Sequence, residues 1–182
     1  LNVTDFFAAN GLTFNPVVFE RIDEATAAFA AGRCDAYTSD ASGLHGTRLT
    51  LRPPDDYMVL PDLISKEPLS IAVRQGDDQW FDLVKWLHFA LLTAEELGVT
   101  SENVDQMLSS ENVSIRRLLG TEGTFGETIG LSNDWAYRAI KLVGNYGELF
   151  DRNLGAGSAI GIERGLNALW TDGGLQYAPP IR

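Results

Sequence analysis

The side chain with the clearest chemical opportunity is Asp40, which ends the run Gly32-Arg33-Cys34-Asp35-Ala36-Tyr37-Thr38-Ser39-Asp40. This run reads as a short buried strand that delivers a carboxylate to its carboxyl end, with a helix opening directly behind it. Open α/β sheets bind small ligands in the crevice outside the carboxyl ends of their strands. A carboxylate there can pair with a cationic group, and an α-ammonium is the natural candidate. Thr38 and Ser39 flank it and can add a hydroxyl contact; strand alternation puts Thr38 on the face of Asp40 and turns Ser39 away. A plainer role is open to the same residues, because Ser-Asp-Ala-Ser is also a good N-cap context for a helix starting at Ala41. Tyr37 and Trp80 have the shape of aromatic ligand platforms, but core packing is the commoner use of such residues.

Other chemistries find little support. Neither His45 nor His88 sits in a nucleophile signature, so Cys34 has no visible catalytic role. It reads either as a small buried hydrophobe or as half of a disulfide whose partner lies upstream. We find no catalytic triad, no metal-ligand cluster and no phosphate cradle. Gly155-Ala156-Gly157-Ser158 follows a helix rather than a strand, which makes it a poor dinucleotide motif. The expectation is therefore no cofactor and no metal.

Composition narrows the class. With 14 Lys+Arg against 25 Asp+Glu, the formal net charge is −11. No basic stripe is available for phosphates, which excludes nucleic acid and disfavours an anionic membrane surface. The 182 residues, 45% of them hydrophobic, suffice for one good core or for two small lobes. No apolar run reaches the roughly 18 residues that a membrane helix needs, and no signal peptide is visible. Because the chain opens at Leu1, we expect mature or truncated material.

The elements that must position Asp40 follow from periodicity. Val3 to Asn10 predicts a helix with Asn10-Gly11 as its C-cap. Leu12 to Glu20 alternates and is β-branched, which predicts a strand. A helix capped by Asp23 runs to a stop at Gly32, and the Asp40 strand follows. Strand, helix and strand make a βαβ unit of a parallel sheet. Tyr57 to Leu60 and Leu69 to Arg74 predict further strands. The longest helix runs from Gln79 to Leu97 with Asp77 or Asp78 as its cap. Helices capped by Ser101, spanning Val113 to Leu119, and running from Trp135 to Phe150 come next, with a loop over Gly123 to Gly130. A short helix around Leu166 to Trp170 and an extended tail close the chain.

At this point the residues resemble a family. Phe19-Glu20, then Ala28-Phe29-Ala30-Ala31-Gly32-Arg33-Cys34-Asp35-Ala36-Tyr37-Thr38-Ser39-Asp40, is similar to the second lobe of polar amino-acid-binding proteins, the periplasmic receptors of ABC importers. Pro68-Leu69-Ser70-Ile71-Ala72-Val73-Arg74-Gln75-Gly76-Asp77 resembles the crossing back to the first lobe. Trp80-Phe81-Asp82-Leu83-Val84-Lys85-Trp86, Leu118-Leu119-Gly120, Asn145-Tyr146-Gly147-Glu148 and Gly173-Gly174-Leu175-Gln176-Tyr177-Ala178-Pro179-Pro180 resemble the C-terminal extension of the general L-amino-acid-binding subfamily.

The resemblance implies an incomplete α/β, periplasmic-binding-protein-like (type II) two-lobe fold with a largely helical C-terminal extension. Residues 1–66 would be the second lobe without its first strand and loop. Residues 67–120 would be the return crossing with strand and helices of the first lobe, and 121–182 the extension. It implies a substrate-binding component, not an enzyme, that captures free L-amino acids in the periplasm for the membrane permease. Asp40, Thr38 and Ser39 would hold ligand, and Lys66, Glu67, Pro68 and Leu69 would form the hinge. Cys34 would be a disulfide half whose partner is on an absent strand. The family's carboxylate-binding arginine and Gly-Thr-Thr loop are not in this sequence. The chain alone is therefore expected to bind amino acids poorly, and to associate with itself or with the missing portion through exposed sheet edges. A dehydratase or a membrane-tethered sensor on the same fold are the alternative functions.

Overall fold

The structure is a computed structural model that describes residues 2–66 and 68–182. The chain divides into two units, Leu1–Ser70 and Ile71–Arg182. The first carries α1 (Asn2–Ala9), α2 (Ile22–Ala30) and α3 (Ala41–Thr50). The second carries α4 (Asp78–Glu96), α5 (Val104–Met107), α6 (Val113–Leu119), α7 (Phe125–Thr128), α8 (Trp135–Val143) and α9 (Tyr146–Asn153), then single 3-10 turns at Gly165–Asn167 and Trp170–Asp172.

The first unit departs from the expected βαβ pattern. Among the described residues, 13–20, 33–40, 57–60 and 69–74 contain no strand. The only β-type pairing described is one parallel bridge between Leu169 and Gln176. Alternation records what a residue prefers once a neighbouring strand exists, whereas the ladder itself needs that neighbour. Val18 is left 87% exposed, and Leu12, Val17, Met58 and Leu60 are exposed as well. Of the described apolar residues in this unit only Ala28 and Leu51 are buried. Helix starts shift too. Asp23 does not cap α2: Arg21 holds the N-cap position and clamps the Asp23 carboxylate through Nε (3.0 Å) and Nη2 (2.9 Å).

The second unit holds the core. Ala90, Leu91 and Ala94 of α4 pack with Val99, Val104, Ile115, Leu118, Leu119, Trp135, Ala136, Ile140 and Ile181. Residues on both sides of position 120 thus share one apolar cluster. Helix α4 forms as its i, i+3, i+4 stripe predicts, and Asp77 caps it by accepting from the Trp80 amide at 3.1 Å. Gly120 ends α6 at φ +76°, where the backbone has left-handed geometry.

The expected single helix from Trp135 to Phe150 is two, broken at Gly144 (φ +86°) and restarted by a capping box at Asn145. Asn145 Oδ1 accepts from the Glu148 amide at 2.9 Å, and Glu148 Oε2 accepts from the Asn145 amide at 2.8 Å. Asn145 Nδ2 also donates to the Val99 carbonyl at 2.9 Å, which ties α9 to the end of α4. Ser101 does not cap a helix. Its amide and hydroxyl both donate to Glu148, and Asn103 takes the N-cap position of α5. The 123–130 loop contains the short helix α7, and the turn around Leu166 to Trp170 is 3-10 rather than α.

Two expectations about stability follow. Asn145→Ala removes a cap worth about 1 kcal/mol and strands the Val99 carbonyl, which costs about 1–3 kcal/mol more. We expect a loss of roughly 2–4 kcal/mol, read from the midpoint of urea unfolding. The second concerns His88 on α4, which is half-buried against the Tyr146 ring, with centroids 5.5 Å apart. Burial lowers its pKa below the ordinary 6.5, and a hydrogen bond with the Gln176 side chain opposes this only in part. The unfolded chain then binds more protons below pH 6.5, so stability falls as pH drops from 6.5 to the folded-state pKa and is level beyond it. His88→Gln flattens that step in a pH series of unfolding midpoints.

Candidate functional site

Asp40 occupies the N-cap position of α3 with extended backbone (φ −58°, ψ 142°), and its carbonyl accepts from the Leu44 amide at 2.8 Å. Its carboxylate makes no capping bond. The residue is exposed at the end of the irregular 33–40 stretch. Thr38 and Ser39, its neighbours in the chain, are exposed as well. Their approach to one another follows from chain continuity. The lack of a cap bond does not, and it leaves two carboxylate oxygens free to accept.

The surroundings of Asp40 are small. α3 begins Ala41-Ser42-Gly43, and a Cβ placed on Gly43 would meet only Ser39 Oγ, at 3.7 Å, and the Asp40 Cβ, at 4.0 Å. Tyr37 lies half-buried against Phe29, with centroids 6.1 Å apart, and Phe29 in turn meets Tyr57 at 5.5 Å. Tyr37 is a packing residue, as its setting suggested. Trp80 is not. It is 51% exposed and lines a small hollow with Gln79, Leu83 and Leu131 in the second unit.

An open groove of about 900 Å³ runs between α2 and α3. It is lined by Ile22, Thr26, Ala27, Gly46, Thr47 and Thr50, and does not include Asp40. Its mouth carries the Arg21–Asp23 pair, and the guanidinium holds the Asp23 carboxyl below the usual carboxylate range. Because that pair is fully in solvent, it has little energetic weight.

The expected hinge residues Lys66, Pro68 and Leu69 lie in irregular chain just before the boundary at Ser70, and Glu67 lies outside the described residues. Cys34 is half-buried rather than buried, and is unpaired among the described residues. No group of three or more His, Cys, Asp or Glu is placed to hold a metal ion among the described residues. No helix there is long and apolar enough to cross a membrane.

Sequence reasoning passed over the polar network of the second unit. Arg164 makes a bidentate, mostly buried pair with Glu95 at 2.8 and 3.1 Å and stacks on Tyr146 and Phe150, 5.2 Å from each ring. Glu148 receives Ser101 and Asn145. Burial pushes its pKa up, but those hydrogen bonds outweigh it and hold the carboxyl below its ordinary value. The Asn-x-x-Glu spacing at 145–148 was the available signal for the latter. For the former, 69 residues of separation left none.

No protein-family model matches the chain. Individual proteins do. It is 59% identical, along its whole length, to the general L-amino acid-binding periplasmic protein AapJ of Rhizobium johnstonii. It is 53% identical to the glutamate/glutamine/aspartate/asparagine-binding protein BztA of Rhodobacter capsulatus. In both cases it spans 54% of the relative's length. Among solved structures it superimposes with a TM-score of 0.94 and 56% identity on an ABC transporter/periplasmic binding protein from Brucella ovis with glutathione bound. That match covers all of this chain and 57% of the other. The chain is thus similar from end to end to amino-acid-binding proteins and to a periplasmic binding protein of an ABC transporter, and spans about half the length of each.

Proposed function

We propose that this chain serves a substrate-binding component of an ABC importer, which captures free L-amino acids in the periplasm and presents them to the membrane permease. Asp40 binds the ligand's α-ammonium, with Thr38 or Ser39 adding a hydroxyl. The observation that carries this reading is the carboxylate of Asp40, uncommitted to the helix it precedes, on an exposed residue. A zwitterion enclosed away from water needs both of its charges matched, because an unpaired buried charge is costly. Glutathione, held by the Brucella relative, carries at its γ-glutamyl end the same ammonium and carboxylate as a free amino acid.

In this reading Lys66, Glu67, Pro68 and Leu69 form the return crossing that serves as a hinge in the full-length receptor, whose closure on ligand is the event a transporter senses. Cys34 pairs with a cysteine outside these residues. The stretches 13–20 and 33–40 pair with polypeptide outside these residues, or with a second copy. The protein is a receptor and not an enzyme. Titration calorimetry with L-amino acids, on protein of the relatives' full length, is expected to show saturable binding, with the amino acid recovered chemically unchanged. A converted product would replace this reading with a dehydratase. Absence of heat with every amino acid would leave the receptor reading without support.

A further inference from the structure

Asn10-Gly11 is the sole Asn-Gly junction in the sequence. It closes α1, in the unit that carries Asp40. We propose that Asn10 is a site of spontaneous modification by solvent water. The backbone nitrogen of Gly11 attacks the side-chain Cγ of Asn10 and closes a five-membered imide. The bond from Cγ to Nδ2 breaks, and ammonia leaves with the proton from the Gly11 amide. Water then adds across one of the two ring C–N bonds and leaves either an aspartyl or an isoaspartyl residue. No electrons are exchanged and no other reactant is needed.

The structure favours this residue over the other asparagines on three counts. Glycine offers no side chain to obstruct the attacking nitrogen, and nothing lies within 4 Å of where a Cβ on Gly11 would stand. Asn10 is exposed and lies just past the last residue of α1. Helix α1 has no buried residue, and its last turn has only half-buried apolar contact to give up, that of the Phe7 ring with Phe14 at 4.7 Å. The contacts that must open are few: Asn10 Nδ2 to the Phe6 carbonyl at 2.8 Å, the Gly11 amide to Ala8 at 3.2 Å, and the Leu12 amide to Phe7 at 2.8 Å. Asn145, by contrast, is 5% exposed, held by both amide atoms and followed by tyrosine.

The reaction reverses the chemistry of the cap. A carboxylate replaces the donor that faces the Phe6 carbonyl, and it does so at the negative end of the helix dipole. The isoaspartyl product also lengthens the backbone by one carbon, which breaks the register of the Leu12-to-Phe7 closure.

The test holds the 182-residue chain at mildly alkaline pH in heavy-oxygen water and follows its peptides by mass spectrometry, with fragmentation to locate the change. The expected result is an amide-to-acid mass gain with heavy oxygen at Asn10, several-fold faster than at any other asparagine and with isoaspartyl in excess. In Asn10→Gln, where the ring would have six members, that gain is expected to vanish from the same peptide. An intact Asn10 after other asparagines have converted overturns the proposal. So does an equal gain in the glutamine variant.

Discussion

Asp40→Ala, made in protein of the relatives' full length, is expected to weaken L-amino-acid binding by about ten- to a hundredfold. The figure follows from the roughly 1.5–3 kcal/mol that a hydrogen bond to a charged group contributes. Asp40→Asn separates charge from capping. Asparagine caps helices as well as aspartate does, but it brings no charge to an ammonium. If Asp40 acts through its charge, the asparagine variant loses affinity nearly as much as the alanine one. Because the carboxylate makes no capping bond, neither variant is expected to shift the unfolding midpoint measurably. Undiminished affinity in calorimetry would remove Asp40 from the site. Lost affinity together with lost stability would make it structural after all.

Gly120→Ala is the substitution with the largest expected effect on folding. Gly120 ends α6 at φ +76°, and a Cβ there would stand 1.9 Å from the Asn133 carbonyl oxygen and 2.4 Å from its carbon. Both neighbours are backbone and lie just ahead of the buried Trp135, so neither can swing aside as a side-chain tip would. The left-handed conformation alone costs a non-glycine residue about 1–2 kcal/mol. Overpacking against rigid neighbours adds about 1–3 kcal/mol. We expect a loss of about 2–5 kcal/mol in urea unfolding. Gly123→Ala is the control: its φ is +82°, but nothing lies within 4 Å. It is expected to lose only the conformational part. Equal losses at the two positions would show that the close approach of Asn133 contributes nothing.

The second unit was the more legible of the two, for a reason visible in its caps. Asp77 and Gly120 act within four residues of themselves, so their roles can be read from a short window. Helix α4 declares its buried face through Leu83, Leu87 and Leu91 at helical spacing. Where reading failed, a competing local choice or a distant partner had decided. The Trp135 helix stops at Gly144 because Asn145 and Glu148 form a better start for a new helix, and Asn145 is held in place by Val99, 46 residues earlier. Ser101 likewise serves Glu148, 47 residues away, rather than its own helix.

What the sequence determined by itself was the helices α2, α4 and α6 with most of their ends, the kinship carried by the 145–148 and 173–180 motifs, and the position of an acidic residue just ahead of α3. Tertiary structure decided what those residues are free to do. Alternation at 12–20 and 32–40 announces strands, but a strand is a relation between two segments, and among the described residues no second segment supplies the hydrogen bonds. Nor does spacing reveal whether a carboxylate at an N-cap position is spent on its helix. At Asp40 it is not: the carboxylate makes no capping bond although the residue holds the N-cap position of α3.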